Sequence, residues 1–196
     1  GIGAALAREY AGPGVFLALT GRDLERLAAV TTDCRQADAE VSARPLDVLD
    51  RGGLEDWIAE IDDVHPIDLI VANAGISAGT SKAGDEFAKV RDIFAVNLDG
   101  VVNTVLPVIP KLRERKCGQI AIMSSVAGFR GIPGTAAYCG SKAAVKVWGE
   151  GLRGQLWHDG VAVSVVCPGY VVSTMTDTNT FPMPWIMPAE RAARII

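Results

Sequence analysis

Apolar residues follow two alternating rhythms along this chain: short unbroken blocks, and longer stretches in which they return every third or fourth position. The blocks are Gly14-Val15-Phe16-Leu17-Ala18-Leu19-Thr20, Val41-Ser42-Ala43-Arg44-Pro45-Leu46, Asp68-Leu69-Ile70-Val71-Ala72, Gln119-Ile120-Ala121-Ile122-Met123 and Val161-Ala162-Val163-Ser164-Val165-Val166-Cys167. Their length and lack of alternation predict buried parallel strands. Pro45 cannot donate to a ladder, which puts its block at a sheet edge or its own strand end. Between the blocks, Leu24, Leu27, Ala28 and Val30 form one helical stripe, and Leu54, Trp57, Ile58 and Ile61 form another. Glu86 to Lys116 reads as one long helix with Phe87, Val90, Phe94, Asn97, Val101, Val105 and Leu112 among positions able to share a face. Pro107 and Pro110 fall inside it, and an interior proline costs about 3 kcal/mol, so a break or kink is expected between 106 and 110. A further helix runs through Tyr138 to Trp148, and Pro188-Ala189-Glu190-Arg191-Ala192 looks like a helix start. Strand and helix alternating at this spacing predict an α/β chain with a parallel, doubly wound sheet.

Composition narrows the picture without changing it. With 196 residues, 49% of them hydrophobic, and a mean hydropathy of +0.23, the chain can bury one sizeable core, so 1–196 is read as a single domain. A net charge of −4 and a pI near 5.2, with Lys and Arg scattered, argue against binding to a nucleic-acid backbone. Cys34, Cys117, Cys139 and Cys167 form no C-x-x-C pair, and neither His65 nor His158 has a ligand-like neighbour. Free thiols and no metal are expected. No apolar run is read as reaching the roughly 18 residues of a membrane span. A cytoplasmic location is the default expectation.

Chemistry concentrates in one stretch, Ser124-Ser125-Val126-Ala127-Gly128 through Gly131 and Pro133 to Tyr138-Cys139-Gly140-Ser141-Lys142. Tyr138 and Lys142 are four residues apart and share a helix face. A phenol with its ordinary pKa of about 10 is a poor acid–base group at neutral pH, and a nearby ammonium is expected to lower it. Ser125 follows a predicted strand, and the C-terminal edge of an open α/β sheet is where ligands bind. This resembles the active site of a carbonyl reductase.

Ser125 followed by Tyr-x-x-x-Lys resembles the short-chain dehydrogenase/reductase family in its single-domain form. Asn73-Ala74-Gly75, Asn97-Leu98-Asp99-Gly100 and Pro168-Gly169 match further family motifs in family order, so the resemblance covers essentially the whole chain. It implies a Rossmann-type fold in three layers and hydride transfer between a nicotinamide cofactor and a carbonyl or secondary alcohol. Asn97, Ser125, Tyr138 and Lys142 are the implied catalytic residues. Cofactor contacts are implied for Gly1, Ile2, Gly3, Arg22, Asp47, Val48, Asn73, Ala74, Gly75, Tyr138, Lys142, Pro168, Gly169 and Val171. Asp47-Val48 would meet the adenine, Lys142 the nicotinamide ribose, and the Asn97 side chain, at a bend of the long helix, a water relaying protons to Lys142. Because the chain opens on Gly1-Ile2-Gly3 with no strand before it, the first and last strands of the sheet are expected to lie outside this sequence, as parts of a longer protein. The strands near Val15 and Asp68 should then not be hydrogen-bonded to each other, leaving room for a strand between them at about 4.8 Å spacings.

Three expectations depend further on the resemblance. NADP(H), with NAD as the alternative, follows from Gly21-Arg22, where a repelling acid is absent and a guanidinium stands ready for a phosphate; Asp23 is read as the start of the next helix. Residues 173–190, with Phe181-Pro182-Met183-Pro184-Trp185-Ile186, are expected to form a substrate lid, the alternatives being a loop pinned to another subunit or a membrane-surface contact. The partners expected are a small-molecule substrate and further copies of the chain, as a homodimer or homotetramer packed through the long helix and the Tyr138 helix, where Trp148, Leu152 and Trp157 serve either the interface or the core. An NAD(P)-binding regulatory or scaffold protein on the same fold is the alternative to an enzyme.

Overall fold

The computed structural model describes residues 1–77, 89–177 and 179–196. Each apolar block becomes a strand. β1 (Phe16–Gly21) and β2 (Glu40–Pro45) pair in parallel, in register from Phe16 opposite Glu40 to Gly21 opposite Pro45. β3 (Leu69–Ala72), β4 (Gln119–Met123) and β5 (Ala162–Val166) form a second parallel sheet in that order. β1 and β3 share no ladder. Pro45 ends β2, as its missing N–H requires.

Helices connect the strands. α1 (Ile2–Tyr10) precedes β1, α2 (Leu24–Gln36) links β1 to β2, and α3 (Arg51–Val64) links β2 to β3. Asp23 starts α2 by accepting the Arg26 N–H at 3.0 Å, and Asp50 starts α3 by accepting that of Gly53 at 3.0 Å. The long helix read from Glu86 to Lys116 is, from residue 89 onward, four pieces; residues 86–88 lie outside the described residues. α4 (Val90–Phe94) runs into a turn of π-helix at Ala95–Asp99, where the Gly100 N–H reaches back to Ala95 O. α5 (Gly100–Val105) follows, and after the expected interruption at 106–108, α6 (Ile109–Arg115) carries Pro110 in its first turn, where no N–H is needed. Contrary to the sequence reading, Val90–Arg115 taken as one run does have the length and hydropathy of a membrane span. Its Val101, Val105, Val108 and Leu112 pack instead into the core around Ile120 and Ile122 of β4.

α7 (Ala136–Leu156) crosses back over the second sheet, with Val145, Leu152 and Leu156 in the same core and Trp148 packed against it. Trp157 does not continue α7: it sits in the turn that follows and is 72% exposed. α8 (Ala189–Ala193) begins where Pro188 predicts and packs its Ala189, Ala192 and Ala193 on Ala5 and Leu6 of α1. At the opposite end of the sheet from the motifs, Asp62 of α3 takes both arms of the Arg115 guanidinium at 2.7 and 2.8 Å and the Ile67 N–H at 2.9 Å. Burial alone would raise the Asp62 carboxyl, but Arg115 and Ile67 more than offset it and hold it below its ordinary range. His65 stacks on Phe16 with ring centroids 3.8 Å apart.

Candidate active site

Parallel strands release their chain at one edge, and the motifs sit there. β1 releases Arg22, β2 Asp47, β3 Asn73 to Gly75, β4 Ser124-Ser125 and β5 Pro168-Gly169. The β4 and β5 exits are joined directly: Val126 N–H donates to Pro168 O at 3.0 Å, and the Ser125 hydroxyl lies 3.5 Å from the same carbonyl. Ser125 also accepts the Ala127 N–H at 3.1 Å, which starts a tight turn at Val126–Phe129. That turn presses on α7. A Cβ on Gly128 would sit 3.0 Å from the Lys142 carbonyl, so only glycine permits the approach.

α7 presents Tyr138 and Lys142 to this edge. Lys142 is 4% exposed and its Nζ donates to Met123 O at 2.8 Å, 5.9 Å from the Tyr138 ring centroid. An ammonium has three N–H groups; the other two find no acceptor among the described residues. Burial pushes Lys142 down to about 8. Burial also raises the Tyr138 phenol, and the neighbouring Ser125 hydroxyl draws it back only in part. The expectation that Lys142 lowers the Tyr138 pKa is therefore overturned in this state: at this separation, with the ammonium engaged on Met123, desolvation of the phenol decides the direction.

Asn97 lies in the π-turn and is fully buried. Its Oδ1 accepts the Ile76 N–H at 2.7 Å, and its Nδ2 donates to Ile76 O at 2.9 Å and to the Ser141 hydroxyl at 3.0 Å. Both Nδ2 hydrogens are thus committed to Ile76 and Ser141. The stretch where the resemblance implied a bend is a turn of π-helix. Two buried, hydrogen-bonded neighbours were not foreseen, Ser141 and Ser124. The Ser141 hydroxyl donates to the Tyr138 backbone carbonyl at 2.8 Å, and that of Ser124 to the Lys142 backbone carbonyl at 2.7 Å. Their signal in the sequence was adjacency, since each directly precedes a residue already singled out.

The residues expected to meet a cofactor lie along the same edge, Gly75 nearest this centre. A Cβ on Gly75 would lie 3.1 Å from Lys142 Nζ and 3.3 Å from Asn97 Oδ1; one on Gly3 would lie 2.5 Å from Asn73 Nδ2. A side chain at either position would have to displace these groups, and α1 starts at Ile2 with Gly1 as its cap. Ala74 lies between Asn73 and Gly75 in the same exit from β3. Val48 packs on Gly100, and its carbonyl takes the Asn103 amide at 2.9 Å. Asp47 accepts the Leu49 N–H and stands 3.5 Å from the Arg22 guanidinium. Asp23 is occupied with α2 and with Arg26 at 3.0 Å. A bare-glycine cradle, a helix start and a buried ammonium with spare donors fit a dinucleotide.

Beyond Gly169, Val171 is buried and bridges to Met187; the Val172 N–H donates to Met187 O at 3.0 Å and the Met187 N–H to Tyr170 O at 3.1 Å. The segment so closed carries Phe181, whose ring is 6.0 Å from that of Tyr170, and Trp185, 91% exposed. Val126, Phe129 and Ile132 are likewise exposed on the stretch after Ser125.

Residues 1–183 match the family described as short chain dehydrogenase. The chain is 37% identical to an uncharacterized oxidoreductase of Myxococcus xanthus over all of its own length and 78% of the relative's. It is 32% identical to the ketoacyl reductase HetN of Nostoc, over 92% of this chain and 63% of that one. Among solved structures, a short-chain dehydrogenase from Sphingobium yanoikuyae in complex with NADPH superposes with a TM-score of 0.87 at 24% identity, covering 99% of this chain and 78% of the other.

Proposed function

This chain belongs to the short-chain dehydrogenase/reductase family and is an NAD(P)-dependent oxidoreductase; from that premise we propose that it transfers a hydride between NADP(H) and a carbonyl or secondary alcohol carried on an apolar body, with Ser125, Tyr138, Lys142 and Asn97 as its centre. The observation that carries the assignment is Lys142, buried to 4% with Met123 O as its single acceptor among the described residues. A buried charge so thinly satisfied is costly unless a ligand completes it, and a role in binding alone would not need a phenol beside it.

When bound, the nicotinamide supplies or accepts the hydride. Tyr138 gives its proton to the oxygen as negative charge develops there, or takes it in the reverse direction. Ser125, beside the phenol and held against Pro168, donates to the same oxygen and so acts where charge appears in the transition state. Lys142 would hold the cofactor's ribose hydroxyls with the N–H groups that find no acceptor among the described residues. That contact would also bring hydrogen-bond partners to an ammonium that burial has weakened. Asn97 holds the Ile76 backbone, and with it the Asn73–Gly75 exit, in place.

Arg22 supports the choice of NADP(H). Its guanidinium is 60% exposed at the end of β1, steadied by Asp47, while the nearest alternative acid, Asp23, is engaged in capping. The Sphingobium neighbour's NADPH points the same way. Residues 173–190 act as the substrate lid, and the exposed apolar side chains on it and after Ser125 favour an apolar substrate body. Phe94 and Val147, exposed on the helices that would meet, support packing of a second copy there.

The test is NADPH oxidation with a panel of ketones, alongside Tyr138→Phe. Turnover should vanish in the variant while NADPH binding, followed by fluorescence, stays near wild type. A Phe variant with near wild-type rates would remove Tyr138 from the mechanism.

A further inference from the structure

We propose that Ser141 is a positioning residue, which ties the cofactor-side loop after β3 to the catalytic helix through Asn97 and so sets where Tyr138 stands. It rests on the reading of Tyr138 and Asn97 given above. Ser141 is fully buried. Its hydroxyl receives one of the two Asn97 Nδ2 hydrogens at 3.0 Å and gives its own to Tyr138 O at 2.8 Å. Asn97 in turn grips both backbone groups of Ile76, as a neighbouring strand would, at 2.7 and 2.9 Å. Four residues from three separate elements are thereby strung on one line of hydrogen bonds: the β3 exit, the π-turn, and two successive points of α7. The π-turn makes this reachable, because its wider turn aims the Asn97 amide at both neighbours at once.

Taking away the Ser141 hydroxyl leaves an Asn97 N–H unpaired where water does not reach, so the amide must swing and release Ile76 or stay and go unsatisfied. Ser124 provides an internal comparison. It too is a buried hydroxyl holding an α7 carbonyl, that of Lys142 at 2.7 Å, but it has no bond to Asn97.

The experiment compares Ser141→Ala, Ser124→Ala, Asn97→Ala and the two doubles containing Asn97→Ala, by kcat with NADPH and a ketone and by amide hydrogen exchange at Ile76 in the cofactor-free protein. Ser141→Ala should lower kcat about tenfold, the rate equivalent of roughly one transition-state hydrogen bond, and speed Ile76 exchange by about the same factor. Joined to Asn97→Ala it should add nothing further, because both act through one line, whereas the Ser124 and Asn97 losses should multiply. Wild-type kcat and exchange in Ser141→Ala, or losses at 141 and 97 that multiply like those at 124 and 97, would overturn the proposal. The Ile76 exchange of Ser141→Ala alone decides the matter if Asn97→Ala does not fold. That readout also stands if no ketone is reduced, an outcome that would count against the catalytic reading and leave the clamp itself tested.

Discussion

Lys142→Met should make the protein more stable and inactive, and the gain should depend on pH in a way that only a buried ammonium explains. In the folded chain burial lowers Lys142 from 10.5 to about 8. The unfolded chain therefore holds more protons between those values, and stability rises with pH across that window. Below about pH 8 the folded protein carries the full penalty: about 2.5 pH units at about 1.4 kcal/mol each is roughly 3 kcal/mol. Methionine has nearly the same length and no charge, and its cost is the bond to Met123 O at 2.8 Å, worth about 1 kcal/mol. A net gain of about 2 kcal/mol at pH 7 corresponds to a melting temperature higher by roughly 4–8 °C for a chain of this size. Thermal unfolding of the cofactor-free proteins by circular dichroism at pH 7, 8.5 and 9.5 reads the difference directly, and the subtraction removes every other titrating group. About 2 of the 3 kcal/mol should be gone by pH 9.5. A variant that melts below wild type at pH 7, or a difference that does not change with pH, would refute the reasoning.

Arg22→Ala should weaken NADPH much more than NADH; with the guanidinium 60% exposed, about tenfold is expected, near the lower end of a charge-assisted bond, as measured by the ratio of their dissociation constants. Equal losses for both cofactors would remove Arg22 from the phosphate. Asp62→Ala should cost about 2–3 kcal/mol, less than a fully buried pair because Arg115 stays 29% exposed, and should leave kcat untouched. Since the Asp62 carboxyl is held below its ordinary range, its contribution is present above that range and disappears as pH falls through its folded value. Acid unfolding of wild type and variant should therefore converge, and parallel curves would contradict the assignment.

The strands were legible because a buried parallel strand needs an unbroken apolar block, and Gln119–Met123 was located to the residue for that reason. Asp23 was legible as a helix start, since capping depends on neighbours in the chain. The π-turn at Ala95–Asp99 was not, because one extra residue in a turn leaves no mark on a periodicity of three to four. Nor was the pairing of Asn97 with Ser141, which are 44 positions apart and meet only once the sheet is assembled. The direction of the Tyr138 shift was misread for a related cause: spacing says that a phenol and an ammonium share a helix face, but burial, which outweighs their attraction here, belongs to the folded chain.

The segment from Val172 to Met187 is fastened at its base by two backbone bonds, and its largest side chain, Trp185, projects into solvent. Backbone bonds ask nothing of side-chain identity. A side chain such as Trp185 can therefore drift, or be randomised in a library, without disturbing Asn97, Ser141 or Lys142, which are locked in by buried contacts elsewhere, whereas Thr176, whose hydroxyl accepts the Ser173 N–H at 2.9 Å and bonds Val171 O at 3.1 Å, belongs to the base. On the proposed lid, preference for one compound over another is inherited separately from the proposed chemistry at Tyr138, so descendants of this chain could change what they accept long before they lose that chemistry.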